Sequence, residues 1–292
     1  VDTYYLSKQF QSATYIEQNQ GLCDLAFHNF GMLNSKINVV HSSAENYLTI
    51  LKASVDWIYI DPARRDQNSR KVFRIEDCTP NLIELQDILQ EKSKGILIKY
   101  SPLLDISEII RSVINIKEIH IVSINNECKE LLIILKKSSA SIKIKTINFQ
   151  GSENQIFDFD PKEEDSCSMS LTLPQKYLYE PNSSIMKAGA FKVIAKEYNL
   201  NKLHSNSHLY TSEKLVNNFP GRAFQIVGME ALKKKGLSKI LPNGKANVKT
   251  RNFPISVRDI KKKLSIKDGG EVYIFATTLM NNKHILIITK KT

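Results

Sequence analysis

The sequence predicts an α/β protein in which a doubly wound, mostly parallel sheet is followed by small α+β domains. Its first 125 residues alternate short β-branched runs with helical patterns, which is the arrangement that βαβ units produce. Some of these runs are almost continuously apolar, as parallel strands covered on both faces are. Positive charge is concentrated towards the C-terminal end, which indicates a separate basic module.

Five strands are predicted in the first half of the chain. They cover residues 13–16, 37–40, 57–60, 95–98 and 119–122. Polar residues ahead of apolar stripes predict helix starts at Ser42 with Glu45, at Thr79 before Pro80, and at Asp105 with Glu108. Two further apolar runs, 131–135 and 142–149, are predicted to form an antiparallel hairpin that closes one edge of the sheet.

Composition and charge divide the chain into four parts. Residues 1–150 are predicted to form the sheet domain, 151–176 a polar linker, 177–218 a small segment with a helix through Ile194, and 219–292 a basic domain. The basic domain holds 16 Lys and Arg against 4 Asp and Glu, whereas the whole chain has a net charge of +11. Such a surface attracts polyanions, and nucleic acid is the commonest one.

Several classes of protein are excluded by the same composition. No apolar run approaches the roughly 20 residues of a membrane span, so we expect no membrane partner and a cytoplasmic location. The four cysteines lie far apart and His204 and His208 have no acidic partner motif, so reduced thiols and no metal are expected. The chain lacks both an initiator Met and a signal peptide, and we expect it to begin part-way into a longer protein.

Candidate functional residues follow the predicted strands, because ligands of doubly wound sheets bind at the carboxyl ends of the strands. Glu17 follows the first strand, where an acid can accept the hydroxyls of a ribose. Ser43 and Ala44 follow the second, where small residues fit against an adenine ring. Asp61 and Pro62 end the third, so that Pro fixes the turn and directs the carboxylate over the sheet edge.

The segments after the third and fourth strands add basic groups to this edge. Arg64 and Arg65 offer forked donors for phosphate or for a base edge, and the loop to Arg74 has a length that suits a substrate lid. Lys99 ends the fourth strand and is expected beside Asp61 if the two strands are neighbours. It would then either contact a substrate phosphate or balance the charge of Asp61.

Five pieces of the sequence together resemble one group of proteins. They are Val1–Ser7, Asp61–Arg65, Lys99–Pro102, Phe219–Arg222 and Arg251–Pro254. In combination they are similar to class I methyltransferases related to RNA cap guanine-N2 methyltransferases and carrying a C-terminal THUMP-like domain. The resemblance implies a class I methyltransferase fold, a small ferredoxin-like insert, S-adenosylmethionine as the cofactor and structured RNA as the partner.

The resemblance also implies roles for individual residues. A first strand and a glycine-rich loop would precede Val1, so the chain would lack its first strand, and Asp2 would be the last remnant of that loop. Glu17 would hold the ribose, and Ser43 with Ala44 would flank the adenine. Asp61 and Pro62 match an Asn/Asp-Pro-Pro-aromatic motif of amino-methyltransferases, but Ala63 and Arg64 replace its second Pro and its aromatic residue. The resemblance therefore does not extend to guanine N2 as the acceptor.

The resulting hypothesis is methyl transfer from S-adenosylmethionine to a nitrogen of an RNA base. Its catalytic residues are Asp61, Pro62 and Arg64, and its cofactor-binding residues are Asp2, Glu17, Ser43, Ala44 and Asp61. Its RNA-binding residues are Arg65, Lys99, Arg222, Lys233, Lys234, Lys235, Arg251, Lys261 and Lys262. Two alternatives are a non-catalytic RNA-binding protein with a degenerate methyltransferase fold, and a nicotinamide-dependent dehydrogenase.

Overall fold

The structure is a computed structural model that describes residues 1–63, 75–137, 141–233, 237, 241 and 243–292. The chain divides into two compact units. The first consists of residues 1–117 and 132–140, and the second of residues 118–131 and 141–292. The strand elements form a two-stranded, a six-stranded and a seven-stranded sheet.

The chain begins with a short helix and two βα units. Helix α1 (Asp2–Ser7) precedes strand β1 (Ala13–Glu17), helix α2 (Gln20–Met32), strand β2 (Ile37–His41) and helix α3 (Ala44–Ile50). β1 and β2 pair in parallel, with Glu17 opposite His41, and form a sheet of their own. The second strand continues through Asn38, so the polar residue that interrupts its apolar pattern does not end it.

The six-stranded sheet has the order β3-β4-β6-β5-β7-β8. Its strands are β3 (Val55–Ile60), β4 (Ser93–Tyr100), β5 (Ile116–Ile124), β6 (Glu127–Leu135), β7 (Lys143–Gln150) and β8 (Glu153–Phe159). Helix α4 (Leu82–Lys92) leads into β4, and helix α5 (Ile106–Ser112) leads into β5. β3 pairs with β4 in parallel, as β5 does with β7, which confirms the predicted mostly parallel α/β architecture and all five predicted strands.

The predicted hairpin between the runs 131–135 and 142–149 is wrong, because β5 lies between β6 and β7. β6 instead follows β5 through a two-residue turn at Asn125 and Asn126, both with positive φ, the backbone that tight hairpins require. β7 then pairs with β5 in parallel and forms its antiparallel hairpin with β8. Apolar content alone did not distinguish these pairings, because all four strands have buried faces.

The predicted linker 151–176 also needs correction, because it contains β8 and helix α6 (Pro161–Ser166). Phe157 and Phe159 are buried whereas Ile156 and Asp158 are exposed, so that one face of β8 is buried within an acidic sequence. Two helix starts are displaced from their predicted positions. Ser43 rather than Ser42 caps α3, and Asn81 rather than Thr79 caps α4, whereas Asp105 caps α5 as predicted.

The seven-stranded sheet has the order β10-β11-β9-β12-β15-β14-β13. Its strands are β9 (Tyr177–Pro181), β10 (Asn201–Lys202), β11 (Tyr210–Ser212), β12 (Gly221–Glu230), β13 (Asn247–Arg251), β14 (Val272–Thr278) and β15 (His284–Lys291). Helices α7 (Ser183–Ala188), α8 (Val193–Glu197) and α9 (Val257–Leu264) belong to the same part of the chain. The segment 177–218 and the basic segment 219–292 therefore share one sheet.

Both faces of this sheet are covered. On β14, Ile274 and Ala276 belong to a core with α9, whereas Phe275 between them belongs to a second core with Leu178 and Phe224. Side chains of successive strand residues point to opposite faces, so this alternation requires apolar residues at every position. The continuous run of β14 is thus explained by burial on two sides.

A buried carboxylate, Glu180 on β9, connects distant strands of the seven-stranded sheet. Its side chain is 1% exposed and pairs with Arg222 on β12 and with Lys249 and Arg251 on β13. β9 and β13 are four strand spacings apart, roughly 19 Å in a flat sheet. Because Arg251 Nη2 nevertheless lies 2.8 Å from Glu180 Oε1, the sheet must curl strongly between these strands.

Gly221 allows β12 to approach β9 closely enough for this cluster. A Cβ atom on Gly221 would lie 2.2 Å from the backbone oxygen of Glu180 and 2.8 Å from the Cα of Pro181. Backbone atoms of a paired strand cannot move aside as the end of a flexible side chain can. The glycine of the Phe219–Arg222 motif is therefore needed to bring Arg222 opposite Glu180.

We predict that Gly221→Ala lowers the free energy of unfolding by about 1–3 kcal/mol, the usual cost of forcing extra atoms into packed structure. Gly31→Ala is the matched control, because a Cβ on Gly31, within α2, meets no atom within 4 Å. That control is expected to keep or slightly raise stability, since alanine favours helices. The urea midpoint followed by far-UV circular dichroism measures both, and equal midpoints for the two variants would contradict the packing argument.

Candidate functional site

Parallel pairing of β3 and β4 brings two of the predicted residues together. Ile60 lies opposite Ile98 in the register, so Asp61 and Lys99 leave the two strands side by side at their carboxyl ends. Lys99 Nζ lies 2.7 Å from Asp61 Oδ2. The expectation that Lys99 stands beside Asp61 is therefore confirmed.

Helix α1 adds a second carboxylate to this pair. Asp2 Oδ2 lies 2.5 Å from Lys99 Nζ and accepts a hydrogen bond of 2.7 Å from the hydroxyl of Tyr59. Lys99 is 24% exposed, whereas Asp2 and Asp61 are 42% and 50% exposed. We call Asp2, Tyr59, Asp61 and Lys99 the strand-end site. In this site the ammonium group of Lys99 pairs with two accessible carboxylates, those of Asp2 and Asp61.

The charges of the strand-end site stabilise one another. Burial opposes the charge of Lys99, but hydrogen bonds to Asp2 and Asp61 outweigh it and raise the lysine pKa. Hydrogen bonds from Lys99 and Tyr59 lower the pKa of Asp2. Burial, together with the bond to Asp2, raises the pKa of Tyr59. Near neutral pH the site therefore holds an ammonium, a neutral phenol and an ionised Asp2.

The turn after β3 is fixed at its base. Pro62 is buried, and Ala63 forms a two-way backbone bridge with Thr79, with N···O distances of 2.7 and 3.0 Å. Ala63 and Thr79 thus meet next to Asp61. Arg64 and Arg65, and the proposed lid to Arg74, lie outside the described residues.

The three residues predicted near a nucleoside lie at the end of β1 and just after β2. Glu17 Oε1 accepts a bond of 2.9 Å from the backbone N–H of Asn19, and Oε2 one of 3.2 Å from the hydroxyl of Tyr15. Ser43 caps α3 and Ala44 is its first residue. Because β1 and β2 are parallel, Glu17 and Ser43 lie at the same end of the two-stranded sheet.

The predicted RNA-binding residues fall into three groups. Arg222 and Arg251 pair with Glu180, with side chains still 28% and 36% exposed. Lys261 pairs with Asp268, whereas Lys262, on the same helix, is exposed, as is Lys233. Lys234 and Lys235 lie outside the described residues. Among its described residues, the basic domain thus uses some cations within the fold and presents others to solvent.

Three residues of these clusters were not predicted from the sequence. Tyr59 precedes Asp61 by two residues, and residues at that spacing in a strand share a face, so this signal was available. Glu180 and its partner Lys249 have no comparable local signal. They are 69 residues apart, and only the curled sheet brings them together.

Comparisons with known proteins agree with this architecture. A family model for a ferredoxin-like domain matches residues 177–220, and a model for a THUMP domain-like module matches residues 221–291. A crystal structure from Porphyromonas gingivalis W83, described as a "putative methyltransferase", superimposes with a TM-score of 0.89 at 32% identity. The match covers 100% of this chain and 80% of that one. The chain belongs to the class I methyltransferases with a THUMP-like domain. A search of curated proteins finds none that matches.

The residues of this THUMP-like methyltransferase fit the cofactor of its class. S-Adenosylmethionine carries a ribose diol and an ammonium and a sulfonium. Both carboxylate oxygens of Glu17 retain acceptor capacity beyond the single bond each of them receives. Asp61 is an accessible carboxylate at the carboxyl end of β3, where such groups are bound, and the accessible carboxylate of Asp2 reaches the same place from α1.

Two kinds of feature are absent from the described part of the chain. No group of three or more His, Cys, Asp or Glu residues there is placed to hold a metal ion. No helix among the same residues is long and apolar enough to cross a membrane. The four cysteines, Cys23, Cys78, Cys128 and Cys167, all belong to the described residues, and none of them forms a disulfide there.

The lowered pKa of Asp2 makes a prediction about stability and pH. Because the unfolded carboxyl has a pKa of about 3.9, the contribution of ionised Asp2 is complete above that value and is lost as pH falls through the folded pKa. Asp2→Asn is therefore expected to be less stable than the unmodified protein at pH 7, with a difference that shrinks below about pH 4. Urea unfolding followed by the fluorescence of Trp57, the single tryptophan, measures this.

Asp87→Asn is the matched control, because Asp87 is exposed on α4, outside the strand-end site. Because its carboxylate makes no contact with the strand-end site, Asp87→Asn is expected to change the stability at pH 7 much less than Asp2→Asn does. If the Asp2→Asn difference were the same at pH 7 and pH 3, Asp2 would not be held as an ion by Lys99 and Tyr59.

Proposed function

We propose that this protein transfers a methyl group from S-adenosylmethionine to a nitrogen of an RNA base. The observation that carries the proposal is the position of Asp61 at the carboxyl end of β3, ion-paired with Lys99 beside Asp2, in a chain of this family. When bound, the cofactor supplies an electrophilic methyl group, so the protein mainly positions the reactants.

Asp61 and Lys99 of the strand-end site have separate roles in this proposal. Asp61 accepts a hydrogen bond from the target amine and stabilises the positive charge that develops on the nitrogen during transfer. Lys99 holds Asp61 and Asp2 in place, in keeping with its two short ion pairs. Pro62 fixes the turn after β3, Arg64 binds the base and Arg65 binds a phosphate group.

The cofactor contacts in the proposal come from the first two strands. Glu17 accepts the ribose hydroxyls, Ser43 and Ala44 flank the adenine, and Asp2 accepts the ammonium group. The order of these groups along the chain is the one that the family resemblance implies. The orientation of the Glu17 carboxylate supports its role in binding the ribose, because two local hydrogen bonds orient it before any ligand binds.

RNA is proposed as the substrate because of the THUMP-like segment and its charge. Residues 221–291 match that domain type, and the segment 219–292 has a net charge of +12, against +11 for the whole chain. Exposed lysines such as Lys233 and Lys262 are suited to phosphate contacts that release counterions. Arg222, Lys234, Lys235, Arg251 and Lys261 complete the proposed RNA-binding set.

A second candidate is RNA binding without methyl transfer. It is favoured by one observation, namely that Lys99 already neutralises part of the charge of both accessible acids. Ala63 and Arg64 also stand where related amino-methyltransferases carry a Pro and an aromatic residue. Calorimetry with S-adenosylmethionine on the full-length protein separates the two, since only the methyltransferase is expected to bind it.

Asp61→Ala is expected to lower methyl transfer to RNA by about 100-fold or more, as loss of one preorganised charge-stabilising group does. RNA affinity should not change. Asp56→Ala is the matched control, because Asp56 lies on the same strand and pairs with Lys94 of β4, before the strands reach the site. Transfer of tritiated methyl groups measures both variants. Full activity of Asp61→Ala would exclude its proposed role.

Salt dependence tests the proposed RNA contacts. Lys262→Gln should weaken RNA binding and reduce the slope of log affinity against log salt by about 1, as expected for one lost phosphate contact. Lys52→Gln, at an exposed site in the other unit, removes the same charge and is expected to leave the slope unchanged. Equal effects of the two changes, measured by fluorescence anisotropy, would indicate only a general dependence on net charge.

A further inference from the structure

A polar cavity within the second unit has no role in the proposed reaction. Its volume is about 200 Å³, and it lies among the β5–β6 turn, the β7–β8 hairpin and the paired strands β9 and β12. Lys291, close to the end of β15, also lines it. We call it the Glu180 pocket, after the buried carboxylate in its wall.

The charge of this pocket is positive although a carboxylate lines it. Glu180 pairs with Arg222, Lys249 and Arg251, so three cations surround one anion. Each cation keeps between 28% and 36% of its side chain exposed. Arg222 and Lys291 both face the cavity, and together they offer donors that Glu180 alone cannot neutralise. An anionic group is the complementary ligand.

The amide groups of the pocket are held in fixed orientations. Gln155 Oε1 accepts hydrogen bonds of 3.1 Å from both Asn148 and Asn182, and Gln155 Nε2 donates one of 3.0 Å to the backbone oxygen of Gly221. Asn182 Oδ1 in turn accepts from the first turn of α7. These bonds preorganise the wall, so that a ligand meets a rigid polar surface.

The rim of the pocket carries amides with unused capacity. Asn125 and Gln150 are exposed, line the cavity, and have no side-chain hydrogen bond within the described part of the chain. Amide side chains offer a donor and an acceptor together, which is the pattern that pairs with the edge of a nucleobase. A simple inorganic anion could accept from the amide N–H groups but would leave the amide carbonyl oxygens without a donor.

We propose that the Glu180 pocket binds one unpaired nucleotide of the RNA, with its phosphate at Arg222 and Lys291 and its base edge at the rim amides. The proposal rests on RNA being the substrate. At about 200 Å³ the cavity is smaller than the roughly 300–1,000 Å³ of pockets that enclose drug-sized ligands, so it accommodates no more than one nucleotide. The pocket would thus select RNA with a single-stranded segment next to its structured part.

The test compares two RNA hairpins that differ only in a short unpaired tail, using fluorescence anisotropy with the full-length protein and no cofactor. Lys291→Gln is expected to weaken binding of the tailed hairpin at least about tenfold, the usual worth of a charged hydrogen bond, and to spare the blunt hairpin. Lys290→Gln is the matched control, because it removes the same charge from the adjacent, oppositely directed residue of β15.

A second pair of variants tests the rim amides without changing the buried cluster. Gln150→Glu should selectively weaken binding of the tailed hairpin, because a carboxylate cannot donate to a base and repels phosphate. Asn154→Asp adds the same charge at an exposed residue of β8 that does not line the cavity, and should have little effect. Since all four sites are exposed, loss of folding is not expected to obscure the result.

A competition experiment distinguishes a nucleotide from a simple anion as the ligand of the pocket. Adenosine monophosphate should displace the tailed hairpin from the unmodified protein, and inorganic phosphate should do so far less effectively. Equal competition by the two, or equal losses for tailed and blunt hairpins in Lys291→Gln, would overturn the proposal. Selective binding of the tailed hairpin in a protein that transfers no methyl group would refute the proposed reaction and leave the pocket assignment standing.

Discussion

The buried carboxylate of Glu180 is the constraint on which the C-terminal half of the molecule depends. A carboxylate that is 1% exposed is costly unless cations and hydrogen bonds compensate for its lost hydration, and here three cations do so. Two of them come from β13, which a flat sheet would place out of reach. Compensation of this charge therefore requires the curl of the sheet, and the close approach at Gly221 that sets Arg222 opposite Glu180.

The same cluster connects stability with recognition. Arg222 stabilises the buried carboxylate of Glu180 through Nη2, and the same residue lines the cavity. A rigid donor of this kind loses little further entropy when an anion binds, because the fold has already ordered it. The surplus positive charge around Glu180 is thus available to a ligand without a separate binding loop. The exposed lysines elsewhere in the domain attract polyanions over a longer range, and salt screens this attraction.

Two lysine–aspartate pairs link β3 and the residue after it with β4, and the two pairs differ in how exposed their side chains are. Lys94 and Asp56 are 76% and 69% exposed, so their pairing contributes little to stability or to the orientation of either side chain. Lys99 is mostly buried, and its second acid, Asp2, is held by Tyr59 as well. The geometry of parallel strands places this second pair at the carboxyl ends, where ligands of doubly wound sheets bind.

The sequence by itself determined the five strands of the first half, the excess positive charge of residues 219–292 and the proximity of Asp61 and Lys99, because strand periodicity, charge content and parallel neighbours are local or near-local properties. Helix starts were predicted to within one or two residues, since adjacent polar residues compete for the cap. Only the tertiary structure decided that β6 lies between β4 and β5 and that Glu180 meets Arg251. These pairings depend on which buried faces fit together over long sequence separations, and the order of residues along the chain does not encode that fit in any short pattern.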